Sequence, residues 1–397
     1  MKSLNSIKSL SIFTALILLG CSTPNEPVNS YYSPYVNTYV YTEKPTGRRL
    51  KDIVADKYPS NVYIGGTIQY RELNSAKGEL LNNEFSYITP ANTYKQSHIH
   101  PTPNKWKWQA PDDWIQRAKK NNQLVRLHAP ISPQSSKWVR DDARTAQELE
   151  LMLVEFMTAL AKRYNNEPQV KWLDVVNETI TEQGTWFGPK PGVTAWENPW
   201  TKIGFITDIP DKFPLLQKLG VPKYIVQAFE IANEHAPNLT LVLNQHRMTS
   251  PKSIALMKEL VMYLRDRNLR IDAIGWQAHL RAEYVDFANI DSQAIKNLDN
   301  LIKWAHQYDF EFHATENNIH IKNNKPYQTD IVAKAFGNIT QTLLDNHQTG
   351  VVAWSLWTLA NAPHFRAKNI EVLGLWDEQF KPQKAYYEMQ RVLENAN

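Results

Sequence analysis

Two glutamates stand out because each closes a short β-rich run: Trp172-Leu-Asp-Val-Val-Asn-Glu178 and Phe310-Glu-Phe-His-Ala-Thr-Glu316. A carboxyl group that keeps its proton can donate it to a leaving oxygen. A second, ionised carboxylate can attack the carbon which that oxygen leaves. Residues so distant in the chain cooperate only if the fold sets the two run ends side by side. Other polar residues fall at comparable places: Asn92, Lys95, His128, Asn177, Asn244, Gln277 and His279, with Trp354 and Trp357 on the last run. Taken singly, a loop glutamate is most often a surface ion-pair partner, and a histidine near an apolar run a hydrogen-bonded core residue. The joint pattern is what argues for chemistry.

The elements that must position these groups alternate along the chain. Strands are expected at Val62–Ile68, Phe85–Thr89, Leu124–His128, Lys171–Asn177, Thr240–Asn244, Asp272–Gln277, Phe310–Glu316 and Val351–Trp357. Several are apolar on both faces, as a parallel strand covered on both sides requires. Helical periodicity fills the intervals, at Ala146–Arg163, Tyr224–His235, Ser253–Arg267, Ala294–His306, Ile331–Asn346 and Ala385–Leu393. Eight β-then-α units predict a (β/α)8 TIM barrel as a single catalytic domain, whose functional residues sit at the C-terminal ends of the strands. The competing architecture is an open doubly wound sheet. No G-x-G-x-x-G follows the first strand, so nothing points to a dinucleotide site.

The chain has 397 residues, 42% of them hydrophobic, which suffices for a large core. Its net charge of +4 is too mild to argue for nucleic acid. A monomer is expected, and the paired carboxylates point to a polysaccharide rather than a nucleic acid as partner. The abundant Trp and Tyr suit either an aromatic core or sugar-stacking platforms. His98-x-His100 has metal-ligand spacing, but no third ligand is evident, so neither a metal nor a cofactor is expected. At the start, Lys2 and Lys8 precede an apolar stretch, Leu10–Leu19, too short to span a bilayer. It ends in Leu18-Leu19-Gly20-Cys21-Ser22, which resembles the bacterial lipoprotein signal. Cys21 is the sole cysteine and the expected lipid anchor. This divides the chain into a signal peptide (1–20), a lipidated cysteine with a proline-containing tether (21–48) and the barrel domain (49–397). It implies export and attachment to a bacterial membrane, at the outer membrane, cell surface or periplasmic face.

Over most of residues 61–395 the chain resembles glycoside hydrolase family 10, the retaining endo-β-xylanases. The strand ending in Glu178 resembles the family's acid/base strand, and Phe312-His-Ala-Thr-Glu316 its nucleophile strand. Ile271-Asp-Ala-Ile-Gly-Trp-Gln-Ala-His279, Ile88-Thr-Pro-Ala-Asn92-Thr-Tyr-Lys95, Val125-Arg-Leu-His128 and Trp376-Asp-Glu-Gln-Phe-Lys-Pro-Gln-Lys-Ala-Tyr-Tyr387 resemble further motifs in the family's order. The resemblance implies double displacement on a β-linked xylan, with Glu178 as acid/base and Glu316 as nucleophile. It implies substrate-binding roles for Asn92, Lys95, His128, Asn177, Gln277, His279 and Trp354. Asn177 would bond a sugar 2-hydroxyl, and His279 would orient Glu316.

Departures from the family pattern bear on substrate. A wall tryptophan is replaced by Ser132. Ala91 stands for a glutamate and Asn317-Asn318 for Leu-Asp. Counting eight residues from Trp354, a second tryptophan is replaced by Ala362. Losing two aromatic walls predicts an open glycone side that favours decorated or differently linked chains. The alternatives are therefore a hydrolase of β-1,3-xylan or a decorated or sulfated algal glycan, or a surface glycan-binding lipoprotein without turnover. Trp186, Trp196 and Trp200 lie in the long loop after the fourth strand, as stacking platforms or as loop packing. Arg247, Arg281, Arg366 and Lys368 fall in loops of the same face, where they could meet an acidic substituent.

Overall fold

The computed structural model describes residues 44–192, 196–246, 248–281, 285–322, 328–363 and 369–396. The signal segment, Cys21 and most of the tether lie outside the described residues, as do Arg247, Arg366 and Lys368. Among the described residues, regular structure begins with a helix at Leu50–Lys57.

Eight parallel strands form the centre: β1 Val62–Thr67, β2 Tyr87–Thr89, β3 Leu124–Leu127, β4 Val170–Asn177, β5 Thr240–Gln245, β6 Ala273–Trp276, β7 Glu311–Lys322 and β8 Val352–Leu356. Each pairs in parallel with the next, and β8 pairs with β1 as well as with β7, so the sheet closes on itself. The open doubly wound alternative is thereby excluded, and the architecture is the (β/α)8 barrel.

Alternation along the strands sorts side chains into an inner and an outer set. Tyr87, Trp172, Val242, Ala273 and Ala353 form one apolar cluster inside the barrel. A Cβ on Gly65 would lie 2.4 Å from the Tyr87 ring, so β1 must be bare where β2 sends in a tyrosine. The outward residues join one continuous core with the helices. The helix Ala146–Tyr164 shows how. Thr145 and Glu148 form a reciprocal capping box at its start, and Leu149, Leu153, Phe156, Met157 and Leu160 bury one stripe. Leu151, on the opposite side of the helix, is exposed.

Two strand ends depart from expectation. β7 does not stop at Glu316 but runs on to Lys322. The pairing of β4 with β5 slips between Asp174 and Val176, and that of β7 with β8 slips between Ala314 and Asn317. Such bulges re-aim side chains, and these two immediately precede or contain the residues of interest.

Candidate active site

The chain ends of β4 to β7 converge on one set of polar groups. After the slip in β4, Asn177 is level with Asn244 of β5, and the backbone turns left-handed at Glu178 (φ 59°). That strained residue is held from both sides. Its N–H donates to the Asn244 carbonyl at 3.1 Å, and Gln245 Oε1 accepts the next two amides, Thr179 N–H at 2.9 Å and Ile180 N–H at 3.1 Å. Glu178 is buried. Its Oε1 accepts from Gln277 Nε2 at 2.9 Å, and its Oε2 has no hydrogen-bond partner among the described residues.

Glu316 has the opposite surroundings. Oε1 accepts from Asn244 Nδ2 at 2.8 Å and lies 3.7 Å from His128 Nε2; Oε2 lies 3.2 Å from His279 Nε2. Burial alone would raise this carboxyl. The nearby His128, the hydrogen bond and charge of His279, and Lys95 outweigh it and hold the group down at about 2. Glu316 is therefore ionised at any ordinary pH.

One amide network joins the two carboxylates. Asn244 donates to both Glu316 Oε1 and Asn177 Oδ1, the latter at 2.9 Å. Gln277 donates to both Asn177 Oδ1 and Glu178 Oε1. Asn244 Oδ1 in turn accepts from Thr315 Oγ1 at 2.7 Å. A Cβ on Gly275 would lie 2.4 Å from that oxygen, so β6 leaves room for the Asn244 amide.

Beneath the carboxylates a polar column descends the barrel. His128 Nδ1 lies 2.8 Å from Asp174 Oδ2, and Arg126 grips Asp174 through Nε at 3.0 Å and through an Nη2 ion pair. Burial would raise the Asp174 carboxyl, but Arg126 and His128 lower it. Arg126 Nη1 also reaches His313 Nδ1 at 2.9 Å. A guanidinium can only donate, so His313 Nδ1 accepts, and Nε2–H donates to Glu311 at 2.9 Å. Burial pushes the His313 imidazole down, in keeping with its neutral tautomer.

A carboxylate held ionised, a second carboxylate with one oxygen open, and amides between them suit acid-assisted displacement at a glycosidic carbon. The model of Glycosyl hydrolase family 10 matches residues 50–392. The chain belongs to that family. Among relatives of this family 10 chain, "Endo-1,4-beta-xylanase A" of Caldicellulosiruptor saccharolyticus is 25% identical over 85% of this chain and 95% of its own length. "Endo-1,4-beta-xylanase A" of Humicola insolens is 27% identical over 79% and 75%. Among solved structures, xylanase 10B of Thermotoga petrophila RKU-1, in complex with xylobiose, aligns with a TM-score of 0.70. It is 22% identical, and the match covers 88% of this chain and 98% of that one. Penicillium canescens endo-1,4-beta-xylanase XylE gives a TM-score of 0.72 at 18% identity over the same shares. At these identities the structures speak for the fold alone.

The family 10 barrel gathers Glu178, Glu316, Asn177, Gln277, His128 and His279 into one site. Lys95 also lies within it, buried, donating to Gln134 Oε1 at 2.5 Å. Burial pushes its ammonium down, and Glu178, Glu316 and Asp174 pull it back in part. Asn92 is half-buried at the end of the same segment.

Trp354 is a correction. It lies on the outward side of β8, buried, packed edge-on against Phe336 of the surrounding helix, with Nε1 donating to Asn317 Oδ1 at 2.9 Å. Ala353, Ser355 and Trp357 share the inward parity. Trp357 is half-buried and packs edge-on to His128 at 5.3 Å and to His279 at 6.2 Å. The tryptophan of β8 that reaches the site is therefore Trp357, and the count of eight residues from Trp354 to Ala362 does not start at a site residue. Ser132 is buried, and its Oγ accepts from Gln134 N–H in its own turn. The expected open glycone side therefore loses the support it drew from the spacing of Trp354 and Ala362.

Trp200 is fully buried, and Trp186 is tied through Nε1 to the Gly220 carbonyl, so both pack the loop. Trp196 is half-buried. In His98-x-His100, the His100 ring is buried and stacked 4.0 Å from Trp106 while His98 is exposed. Among the described residues no cluster suited to a metal occurs, and no helix is long and apolar enough to cross a membrane. Sequence reasoning missed Arg126, Asp174, His313 and the binding partner of His279, Asn318 Oδ1 at 2.9 Å from Nδ1. For Arg126 the available signal was its shared parity with His128; for Asp174 and His313 the slips in β4 and β7 break the parity with Asn177 and Glu316.

Proposed function

We propose that this chain is an endo-acting hydrolase of β-1,4-linked xylan that retains anomeric configuration, with Glu316 as nucleophile and Glu178 as acid/base. The contrast between the two carboxylates carries the reading. Glu316 is held ionised by donors on both oxygens, whereas Glu178 spends one oxygen on Gln277 and leaves the other open. Glu316 attacks the anomeric carbon as the open Glu178 oxygen gives its proton to the departing glycosidic oxygen. The product of this step is a glycosyl ester on Glu316, which no longer carries charge. The Glu178 carboxylate then takes a proton from water, whose oxygen attacks the same carbon and releases Glu316. Asn177 accepts both its bonds at Oδ1, so Nδ2 is its remaining donor for a sugar 2-hydroxyl. The activity for which the relatives are named, endo-1,4-β-xylanase, supplies the polymer.

The test is Glu316→Ala on β-1,4-xylo-oligosaccharides and on an activated aryl xyloside. Turnover should fall by at least ~10⁴-fold. Azide should restore cleavage of the activated substrate and yield a glycosyl azide of inverted configuration. Retained turnover sinks the nucleophile assignment. Accumulation of xylose before the polymer shortens sinks the endo assignment.

Two further parts of the proposal concern the cell. The chain is exported and anchored through lipidated Cys21, and it acts as a monomer. Cys21→Ala should leave the membrane fraction, because a multiply acylated cysteine is a stable anchor and the remaining tether is polar. Continued sedimentation with membranes would refute the anchor, and a dimer mass in light scattering the monomer.

A further inference from the structure

The end of β7 carries a feature that the proposed reaction does not use. Beyond Glu316 the strand continues and builds a small sheet at the barrel rim with His279–Arg281, Ile370–Leu373 and Ala362–Pro363. The register sets Asn318 beside His279 and His320 beside Arg281. Residues paired across a sheet share a face, as do alternate residues along a strand. Beyond the buried Asn318, burial follows that period: Leu280, Ile319 and Ile321 are buried, whereas His279, Arg281 and Lys322 are exposed and His320 is half-buried.

His279 shows which face this is. Its Nε2 meets Glu316, and its ring centre lies 6.3 Å from that of His320. One face of the small sheet therefore leads outward from Glu316 through His279 and His320 to Arg281 and Lys322. Beyond Glu316, the one acidic residue among the described residues of this small sheet, Glu371, is registered with Ile321 and so belongs to the other face. A chain of neutral sugars gives no electrostatic reason for such a strip. An acidic branch does. Close to the ionised Glu316 a second negative charge is repelled. Arg281, two residues past His279 and roughly 6–7 Å along the strand, is the nearest exposed guanidinium on the strip. A guanidinium grips a carboxylate with two parallel hydrogen bonds.

We propose that this strip, centred on Arg281 with His320 and Lys322, binds a carboxylate-bearing sugar branch, a uronate, on the polysaccharide next to the cleavage point. The proposal rests on reading the site as a xylan hydrolase. The experiment compares three xylo-oligosaccharides of equal length: unbranched, uronate-branched and sulfate-ester-branched. Both kcat/KM and calorimetric binding are measured for the intact protein and for Arg281→Gln, at low salt and in 1 M salt. The uronate-to-neutral ratio of kcat/KM should exceed one. Arg281→Gln should lower that ratio about tenfold, as should high salt by screening. An unchanged ratio in Arg281→Gln overturns the subsite. An equal or larger gain from the sulfate branch overturns the uronate assignment. If no oligosaccharide is cleaved, the xylanase reading fails, and the binding comparison still decides the strip: uronate affinity lost in Arg281→Gln supports it, and equal affinity overturns it.

Discussion

His279 sits between two acceptors, with Nε2 3.2 Å from Glu316 Oε2 and Nδ1 2.9 Å from Asn318 Oδ1. An imidazole satisfies two oxygen acceptors only when both nitrogens carry protons. Burial works against that charge, but Glu316 and Asn318 prevail and raise the group above its usual 6.5. The linkage runs in two directions. The His279 contribution is full below the unfolded value of 6.5 and is lost as pH rises through the raised folded value. That of Glu316 is full above its unfolded 4.5 and is lost as pH falls toward about 2. Wild type should therefore out-melt His279→Gln by most between these two unfolded values, and by progressively less in alkali. Asn318→Asp should extend the advantage to higher pH. A pH-independent difference in Tm would show that His279 is neutral here.

Glu178→Gln should impair natural xylo-oligosaccharides by about 10²–10⁴-fold, the scale of a lost general acid. Substrates with a very good leaving group need no proton in the first step, so an aryl glycoside should show a rapid burst of phenol followed by slow turnover. Equal loss of the first step on both substrates would remove Glu178 from the acid role.

How much of this was legible beforehand follows from strand physics. Runs apolar on both faces announced buried parallel strands, and the polar residues at their ends announced the site. Three things stayed hidden. The slips in β4 and β7 change inward parity within a strand, and no residue type marks them. Asn317 and Asn318 look like the end of a strand, yet Ile319 and Ile321 carry β7 onward with one buried face. Arg126 and Asp174 satisfy one another inside the barrel, so charged residues sit where an apolar interior was expected. Trp354 was misplaced for a different reason. Motif spacing was followed where the two-residue period, with small Ala353 facing the crowded interior, would have selected Trp357.

Gly275→Ala tests the amide network. The new Cβ would meet Asn244 Oδ1 at 2.4 Å and Thr315 Cγ2 at 3.0 Å. Overpacking of this kind costs about 1–3 kcal/mol. Because Asn244 also positions Glu316, kcat should fall by ~10–100-fold, beyond anything the stability loss explains at 25 °C. Gly188→Ala, whose Cβ would meet only Thr201 Oγ1 at 3.5 Å, is the control and should change neither. A stability loss with unaltered kcat would show that Asn244 is dispensable for placing Glu316.

The two tryptophans of β8 give opposite expectations, and the pair decides which of them faces substrate. Trp354→Phe keeps an aromatic ring against Phe336 but removes the donor to Asn317 Oδ1, a buried oxygen. Leaving such an acceptor unpaired costs about 1–3 kcal/mol, seen as a lower midpoint in urea with an unchanged slope, while KM stays near wild type. Trp357→Ala removes a half-buried ring that packs on His128 and His279 but makes no side-chain hydrogen bond among the described residues. Its stability cost should be small. Its KM for xylo-oligosaccharides should rise about tenfold if the indole covers a sugar face, since such a contact is worth ~1 kcal/mol beyond area burial. Replacing the ring by Phe should recover much of that loss. The reverse outcome, with KM following Trp354 and stability following Trp357, would mean that β8 presents its other face to the substrate.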